Sequence, residues 1–274
     1  MKKIVLIATL FLAQILAKLP ENPGFSVIDG GSGAVGNSPF LNAIFNTEKQ
    51  KLVLETGAIS YYDTPIFDKE EQITNFFCGA LLRTPDGGGR LQNRISLSMS
   101  SLNAFDLYSE TDVKASYGLS FAKILHFGIV ADYLIYRSEG DCILGAGGEI
   151  AGGIGNKIIM GVFSYSIRNI GEKEYNPIIQ DMKAVIRLKE NKFGNHAAIF
   201  KIDNYTKRIS AELAYDVNFY DNIEFGVSFI PKPFVVKIGL VFDIKQTRAL
   251  AAFSLHNALG LSKHIAVQYL LDEN

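Results

Sequence analysis

The chain has 274 residues, and its 27 Lys and Arg against 28 Asp and Glu leave a formal net charge of -1 at pH 7. A charge balance this even gives no support to polyanion binding, so nucleic acid is not an expected partner. Only 20% of the residues are charged, Trp is absent, and 25 Gly accompany 19 Phe and 12 Tyr, which favours strands over helices or disorder. Beyond the N-terminus no long uncharged apolar run occurs, which excludes a helical membrane protein.

Residues 1–17 have the organisation of an export signal. Two lysines precede an apolar run from Ile4 to Leu16, and Ala17 supplies the small residue at which a signal peptidase cuts. The run is about 13 residues, shorter than the roughly 20 that span hydrocarbon as a helix. No cysteine stands at the cleavage point, which argues against a lipid-anchored protein. We therefore predict that residues 1–17 direct export and are removed.

Residues 18–50 differ in kind from the rest of the chain. They contain three prolines and a Gly/Ser cluster, and they show no sustained hydrophobic period. One interpretation is a plug inside the domain that follows, and the alternative is a disordered periplasmic tail. The segment has apolar side chains to bury, which favours the plug: Phe25, Val27, Phe40, Leu41, Ile44 and Phe45.

From about residue 51 to the end, apolar residues recur at every second position. Between Ile209 and Val217 the odd positions are apolar, whereas Ser210, Glu212 and Asp216 lie between them. This period belongs to strands and not to helices. The segments are near ten residues long and their polar face is mostly Gly, Ser and Ala, whereas strands of soluble sandwiches are shorter and carry more charge. The pattern is typical of an antiparallel transmembrane β-barrel.

The period predicts an all-β domain at residues 51–274, with an even number of about fourteen strands. They fall at 51–58, 74–83, 93–101, 111–122, 124–137, 141–153, 157–169, 180–189, 194–202, 207–217, 222–230, 234–243, 247–257 and 262–270. If both termini are periplasmic, the longest connections, 59–73, 102–110 and 170–179, are all extracellular. The connection at 84–92 is long and falls on the periplasmic side, against this rule.

The alternation also predicts which charged side chains face the lumen. A Lys or Arg on the lipid face would cost about 2–4 kcal/mol at the bilayer midplane, so strand charges should point inward. Because the set is of mixed sign, pairing across the lumen is favoured over selection of one ion sign. The predicted lumen-facing residues are Asp132, Glu149, Lys183, Arg187, Lys201, Glu212, Asp216, Glu224 and Lys237.

The side chains that often carry chemistry form no convincing site. Cys78 and Cys142 are interpreted as small strand residues, and the scattered histidines have no metal-ligand spacing, so neither a metal nor another cofactor is expected. Gly31-x-Gly33-x-x-Gly36 has the spacing of a dinucleotide fingerprint, but Pro39 interrupts the helix it needs. Ser254 and His256 share one strand face, which keeps a barrel-embedded lipid-modifying enzyme as a remote alternative. We expect a non-enzymatic protein.

The glycine-rich stretch Gly30-Gly31-Ser32-Gly33-Ala34-Val35-Gly36, followed by Leu41-Asn42-Ala43-Ile44-Phe45-Asn46, resembles the N-terminus of outer-membrane barrels related to the FadL transporters and the PorV/PorQ proteins. In that group the corresponding motifs form part of a hatch in the lumen. The resemblance implies that Gly31, Gly33, Asn42 and Asn46 belong to such a plug. Thr47-Glu48 departs from the pattern, because the family has Pro-Ala at that place.

The resemblance implies a location in the bacterial outer membrane and two candidate functions. The first is a plugged conduit for uptake or passage of small hydrophobic molecules, with outer-membrane lipid and a hydrophobic ligand as partners. The second is an accessory or scaffold barrel that works with the proteins of a secretion complex. Transport predicts an apolar pocket contiguous with the lumen, whereas scaffolding predicts a filled lumen.

Overall fold

The computed structural model describes residues 51–61, 73–84, 91–104, 108–122, 124–138, 141–155, 159–171, 178–190, 194–203, 208–220, 222–232, 234–257 and 260–271. The predicted export signal at 1–17 and the predicted plug at 18–50 lie outside these residues. Among the described residues, no helix has the length and apolar character needed to cross a membrane.

The described residues form fourteen strands, the number that the alternation predicts. They are β1 (Leu52–Tyr61), β2 (Ile73–Arg83), β3 (Leu91–Ala104), β4 (Tyr108–Phe121), β5 (Leu125–Ser138), β6 (Asp141–Gly155), β7 (Ile159–Gly171), β8 (Ile179–Glu190), β9 (Gly194–Asp203), β10 (Arg208–Tyr220), β11 (Ile223–Ile230), β12 (Val235–Ile244), β13 (Thr247–His256) and β14 (Gly260–Leu271). The prediction of an all-β antiparallel domain is confirmed.

Each strand pairs antiparallel with its neighbours in sequence, and β1 also pairs with β14, so the sheet closes on itself. The closing register runs from Leu52 opposite Leu271 to Ser60 opposite Lys263. We call the end where β1 begins, at Leu52, the proximal end, and the end where β1 finishes, at Tyr61, the distal end. Within the fourteen described strands, closure leaves no exposed sheet edge, which satisfies the backbone groups of the first and last strands.

Successive side chains alternate between a buried inner face and an exposed outer face. On β12, Lys237, Gly239 and Val241 are buried, whereas Ile238 and Leu240 are exposed. The exposed outer side chains are large and apolar around the whole sheet, and they include Ile95, Leu97, Met99, Phe127, Ile129, Phe163, Ile186, Leu213, Phe253 and Ile265. At about 3.3 Å per residue and a tilt of about 40°, the outward apolar positions from Leu125 to Ile135 cover a height of roughly 25 Å.

Aromatic side chains stand near the borders of this apolar exterior. At the proximal end the Tyr117 hydroxyl donates to Asn93 Oδ1 at 2.7 Å, and the Tyr269 hydroxyl donates to Gln246 Oε1 at 2.9 Å. At the distal end, the ring centroids of Phe229 and its neighbour in the next turn, Phe234, lie 5.6 Å apart in an edge-to-face arrangement. Tyrosines with an apolar ring and a hydrogen-bonded hydroxyl suit the boundary between an apolar and an aqueous layer.

The strand limits differ from the sequence prediction mainly at the distal end of β3 and β4. The predicted connection 102–110 is wrong, because β3 continues to Ala104 and β4 begins at Tyr108, leaving only residues 105–107 between them. The cause is packing: Leu102 and Ala104 are buried on the inner face, so they extend the strand into a segment whose polar residues favour a loop.

The other two predicted long connections shorten to 62–72 and 172–178, which lie between β1 and β2 and between β7 and β8. Both join the distal ends of their strands. Most of the proximal connections are two or three residues long, and 84–90 is the longer one among them. The sequence predicts long connections at the distal end and short ones at the proximal end. The structure shows a smaller difference in connection length between the two ends.

Candidate functional site: the inner face of the barrel

Among the described residues, the inner face carries hydrogen-bonded polar networks, a large apolar wall and a smaller apolar cluster of Val53, Leu81 and Leu270. The polar networks are built by side chains that lie on different strands but reach each other across the register. The apolar wall is a patch on the inside of β1–β3 and β12–β14, which also carry polar inward residues. Together they decide what the interior can bind.

The first network lies at the proximal end, inside β3, β4 and β5. Arg94 donates from Nη1 to Ser120 Oγ at 2.9 Å and from Nη2 to Gln92 Oε1 at 3.2 Å. Ser120 Oγ lies 2.8 Å from His126 Nδ1, which continues the chain to β5. Arg83 of β2 stands directly opposite Arg94 in the register, so two buried guanidinium groups face the interior here.

The second network, also proximal, lies inside the strands that close the sheet. Arg248 pairs with Glu224 through Nη2 at 2.7 Å and with Asp243 through Nε at 2.8 Å. On the neighbouring strands, Gln268 Nε2 donates to Glu55 Oε2 at 2.8 Å, a hydrogen bond that crosses the closing pair β1 and β14. Polar contacts therefore reinforce the backbone pairing at the closure.

The third network is an ion pair in the distal half of β10, β11 and β12. Lys237 Nζ lies 3.1 Å from Glu212 Oε1, and Ser228 Oγ donates to the same carboxylate oxygen at 2.8 Å. The two charged side chains are only 10% and 11% exposed. A buried pair of this kind contributes little net stability but is costly to break, because the remaining charge would stay buried alone.

The fourth network runs along β4 from its distal end and extends to β5 and β7. The Tyr108 hydroxyl donates to Glu110 Oε2 at 3.1 Å, Lys114 pairs with Asp112 at 3.1 Å, and Arg168 Nε lies 3.9 Å from Asp132 Oδ2. The carboxylates therefore have cations or a hydroxyl close by. Within the described part of the chain, no cluster of His, Cys, Asp and Glu side chains could hold a metal ion.

The apolar wall consists of inward side chains of β1–β3 and β12–β14. Its members are at most 7% exposed and pack against one another, with Tyr108 alongside: Ile59, Tyr61, Ile73, Phe77, Leu102, Ala104, Val241, Leu250, Ala252 and Ala266. An apolar patch to which six strands contribute is unusual inside a wide barrel, whose lumen is ordinarily polar.

Gly57 allows the two halves of this wall to meet across the closing strands. A Cβ atom placed on Gly57 would lie 2.5 Å from Phe77 Cζ and 2.9 Å from Ala266 Cα, and it would also collide with the Ile265 carbonyl oxygen. The Phe77 ring therefore lies over the glycine and occupies the space of the missing side chain. Only glycine permits an approach this close.

The predicted lumen-facing charges lie on the inner face wherever their side chains are described. Asp132, Glu212, Asp216 and Lys237 are buried, and Glu149, Lys183 and Glu224 are half-buried at inward positions. The structure brings Glu212 and Lys237 together and pairs Glu224 with Arg248. Arg187 and Lys201 are placed on β8 and β9 by backbone register, but their side chains lie outside the described set. The predicted plug residues Gly31, Gly33, Asn42 and Asn46 also lie outside it.

Sequence reasoning missed several residues of these networks, among them Arg94, Ser120, Arg248 and Gln268. The same alternation places each of these residues on the inner face, so their orientation could have been predicted from the sequence. Ser254 and His256 share the inner face of β13, as predicted, but no hydrogen bond joins them among the described residues. The Ser–His contact that the structure does show lies elsewhere, between Ser120 and His126.

Comparison with known proteins gives only distant likenesses. No protein-family model matches the chain, and no curated protein matches it. Two mutants of the Rhodopseudomonas blastica porin are among the similar solved structures, each 12% identical with a TM-score of 0.43, covering 80% of this chain and 99% of the porin chain. A structure described as "Asymmetric conductivity of engineered proteins" has a TM-score of 0.42 at 12% identity, with the same coverage. At these values the likeness assigns neither a family nor a function.

Proposed function

We propose that the protein is a non-enzymatic β-barrel of the bacterial outer membrane that admits small hydrophobic molecules through a plugged lumen. The membrane location is supported by the exterior, where side chains such as Leu97, Ile129 and Leu213 are more than half exposed to their surroundings. In water this surface would drive aggregation, whereas in a bilayer it meets acyl chains. The estimated height of roughly 25 Å agrees with the apolar band of known barrels.

The observation that carries the conduit is the apolar wall. A channel for ions or sugars needs polar groups along its whole lining, because these replace part of the hydration shell. Here Ile59, Phe77, Leu102 and Leu250 face the interior together and offer no hydrogen bonds. Such a surface gains free energy by contacting apolar ligands, at roughly 25 cal/mol for each Å² buried.

The plug is supported by where the chain enters the barrel. The Lys51 backbone N–H donates to the Leu271 carbonyl oxygen, and the Lys51 carbonyl oxygen accepts from the Arg83 N–H. The residues before Lys51 therefore begin at the proximal rim, between β2 and β14. From there, residues 18–50 can reach the interior directly. Their apolar residues, including Phe40, Leu41 and Phe45, match the character of the wall. We propose that this segment fills the lumen in the resting protein and moves when a ligand passes.

Uptake of an apolar dye tests the conduit. The protein would be expressed in Gram-negative cells whose outer membrane excludes N-phenyl-1-naphthylamine, and the rate of its fluorescence increase would be measured. We expect a severalfold faster increase than in cells without the protein, and loss of the effect in Leu250→Glu, which places a charge in the wall. Asp141→Lys, a change at an exposed distal position, is the control and should leave the rate unchanged. Equal rates with and without the protein would refute the conduit.

A scaffold role in a secretion complex is the second candidate. Val53 and Val241 on the inner face are fully buried, which agrees with the filled lumen that a scaffold and a plugged conduit both require. Native mass spectrometry of the detergent-extracted protein separates the two functions. A bound small apolar molecule supports passage, whereas a stoichiometric protein partner with no small molecule supports scaffolding.

A further inference from the structure

Two unsatisfied polar side chains lie within the apolar wall, in one line across the sheet. The register places Ala252 opposite His264, His264 opposite Ile59, Ile59 opposite Asn75, and Asn75 opposite Leu102. We call these five residues the Ile59 row. Alternation points all of them inward, and each is at most 8% exposed.

Three polar atoms of this row have no hydrogen-bond partner. Both ring nitrogens of His264 and the side-chain oxygen of Asn75 are buried without one. A buried polar atom left unpaired is destabilising because it has lost its hydrogen bonds to water, and this row contains three such atoms. Leucine at either position would bury apolar surface without that cost. Unpaired polar side chains inside an apolar wall indicate that a bound molecule supplies their hydrogen bonds.

Small side chains surround His264 on the inner face. Gly57 and Ala252 lie on the neighbouring strands, and Ser262 and Ala266 lie two residues away on β14 itself. Larger apolar side chains, Phe77 and Leu250, stand beyond them. The imidazole therefore has small side chains beside it along β14 and on β13, and Ile59 lies directly opposite it on β1. His264 and Asn75 are separated by two inter-strand spacings, roughly 10 Å between Cα atoms, and their tips converge because they point into a closed barrel.

The surroundings indicate a neutral partner. No charged residue belongs to the Ile59 row, and Lys237, on the second strand from His264, is already paired with Glu212 at 3.1 Å. An ionised group in this row would be buried without a counter-ion, which costs far more than a buried neutral group. A neutral imidazole offers one donor and one acceptor, and the Asn75 oxygen is an acceptor. A hydroxyl or a primary amide, which both donates and accepts, complements these atoms.

We propose that His264 and Asn75 recognise the polar group of the molecule that the wall binds, and that this molecule is an elongated apolar compound with one neutral hydroxyl or amide group. The assignment rests on the proposed passage of hydrophobic molecules and deepens it. His264 and Asn75 bind the polar end over Ile59, while Phe77, Leu102 and Leu250 contact the apolar body. The wall then selects alcohols and amides over hydrocarbons of the same length.

Retention of two matched probes tests the selection. The full chain, exchanged into amphipol, would be incubated with 1-dodecanol or n-dodecane, separated from excess probe, and the bound probe measured by gas chromatography. We expect His264→Leu and Asn75→Leu each to lower dodecanol retention roughly three- to tenfold, the loss of one buried hydrogen bond. Dodecane retention should change less than twofold. Ser262→Ala, beside His264 on the same face, is the control and should leave both unchanged.

A second readout is independent of retention. In protein labelled with ¹⁵N-histidine, the ring-nitrogen resonances that disappear in His264→Leu belong to His264, and dodecanol should shift them more than dodecane does. If both probes are retained and neither variant changes the ratio, or if the His264 resonances do not respond, recognition by this pair is refuted while the conduit stands. If neither probe is retained by any form, both proposals fail. Electrophoretic mobility of the unheated protein shows that each variant is folded.

Discussion

The ion pair between Lys237 and Glu212 gives the sharpest test of the inner-face assignment. At 3.1 Å and an effective dielectric constant of about 20, the Coulomb attraction is about 5 kcal/mol, which the desolvation of two buried groups largely cancels. Glu212→Ala removes the attraction but leaves the Lys237 ammonium buried, because its side chain is only 10% exposed. We expect the free energy of unfolding to fall by about 3–5 kcal/mol.

The double variant Glu212→Leu with Lys237→Met removes both charges and keeps the volume. Its free energy of unfolding should return to within about 1 kcal/mol of the parent, since replacing a buried pair by apolar residues is often neutral or stabilising. The measurement is urea unfolding in lipid vesicles, followed by the electrophoretic shift of the folded barrel. Asp141→Ala, at an exposed distal position, is the control and should change stability by less than about 0.5 kcal/mol. If Glu212→Ala and the double variant are equally stable, the two side chains do not form a buried pair.

Three further predictions concern the exterior and the closure. Leu213→Arg puts a charge on the outer face and should cost about 2–4 kcal/mol of folding in vesicles, whereas an effect no larger than that of Asp141→Ala would place Leu213 away from lipid. Gly57→Ala forces Phe77 away from the strand it covers and should lower the fraction that reaches the compact electrophoretic form; full folding would show that the contact is not required. Cys78 is exposed midway along β2 and Cys142 at the distal end, so in vesicles a sulfonated, impermeant maleimide should label Cys142 and not Cys78, because alkylation needs a thiolate that does not form in hydrocarbon; labelling of Cys78 in vesicles would contradict the bilayer position.

Most of the fold was predictable from the sequence because a strand's alternation is a local property. On β12, every even position is a large apolar residue, whereas Lys237, Gly239 and Asp243 stand at odd positions, and this contrast predicts both the strand and its orientation. The residues at which the strands begin and end were harder to predict. The segment from Leu102 to Glu110 contains polar residues that favour a loop, but Leu102, Ala104 and Tyr108, at the ends of β3 and β4, pack in the apolar wall with residues of distant strands.

The contacts of the inner face were not predictable, because the register between strands is not encoded within either strand. Arg94 and Ser120 are 26 residues apart, and Gln268 and Glu55 are 213 residues apart. Their inward orientation follows from parity, but their pairing depends on how the sheet is staggered when it closes. The apolar wall was missed for a related reason: its members occupy inward positions on six strands, and on any one strand they resemble ordinary exceptions to the alternation.

The pairing of the first strand with the last has a consequence for how the protein can be made. Until Gly260–Leu271 has emerged and reached Leu52–Tyr61, both of these segments keep a full row of unsatisfied backbone groups. A chain truncated before β14 would form an open sheet with two unpaired edge strands, and such strands pair readily with other copies of the chain. The barrel can therefore close only after the last strand has been synthesised. Until then, contact between incomplete chains favours aggregation.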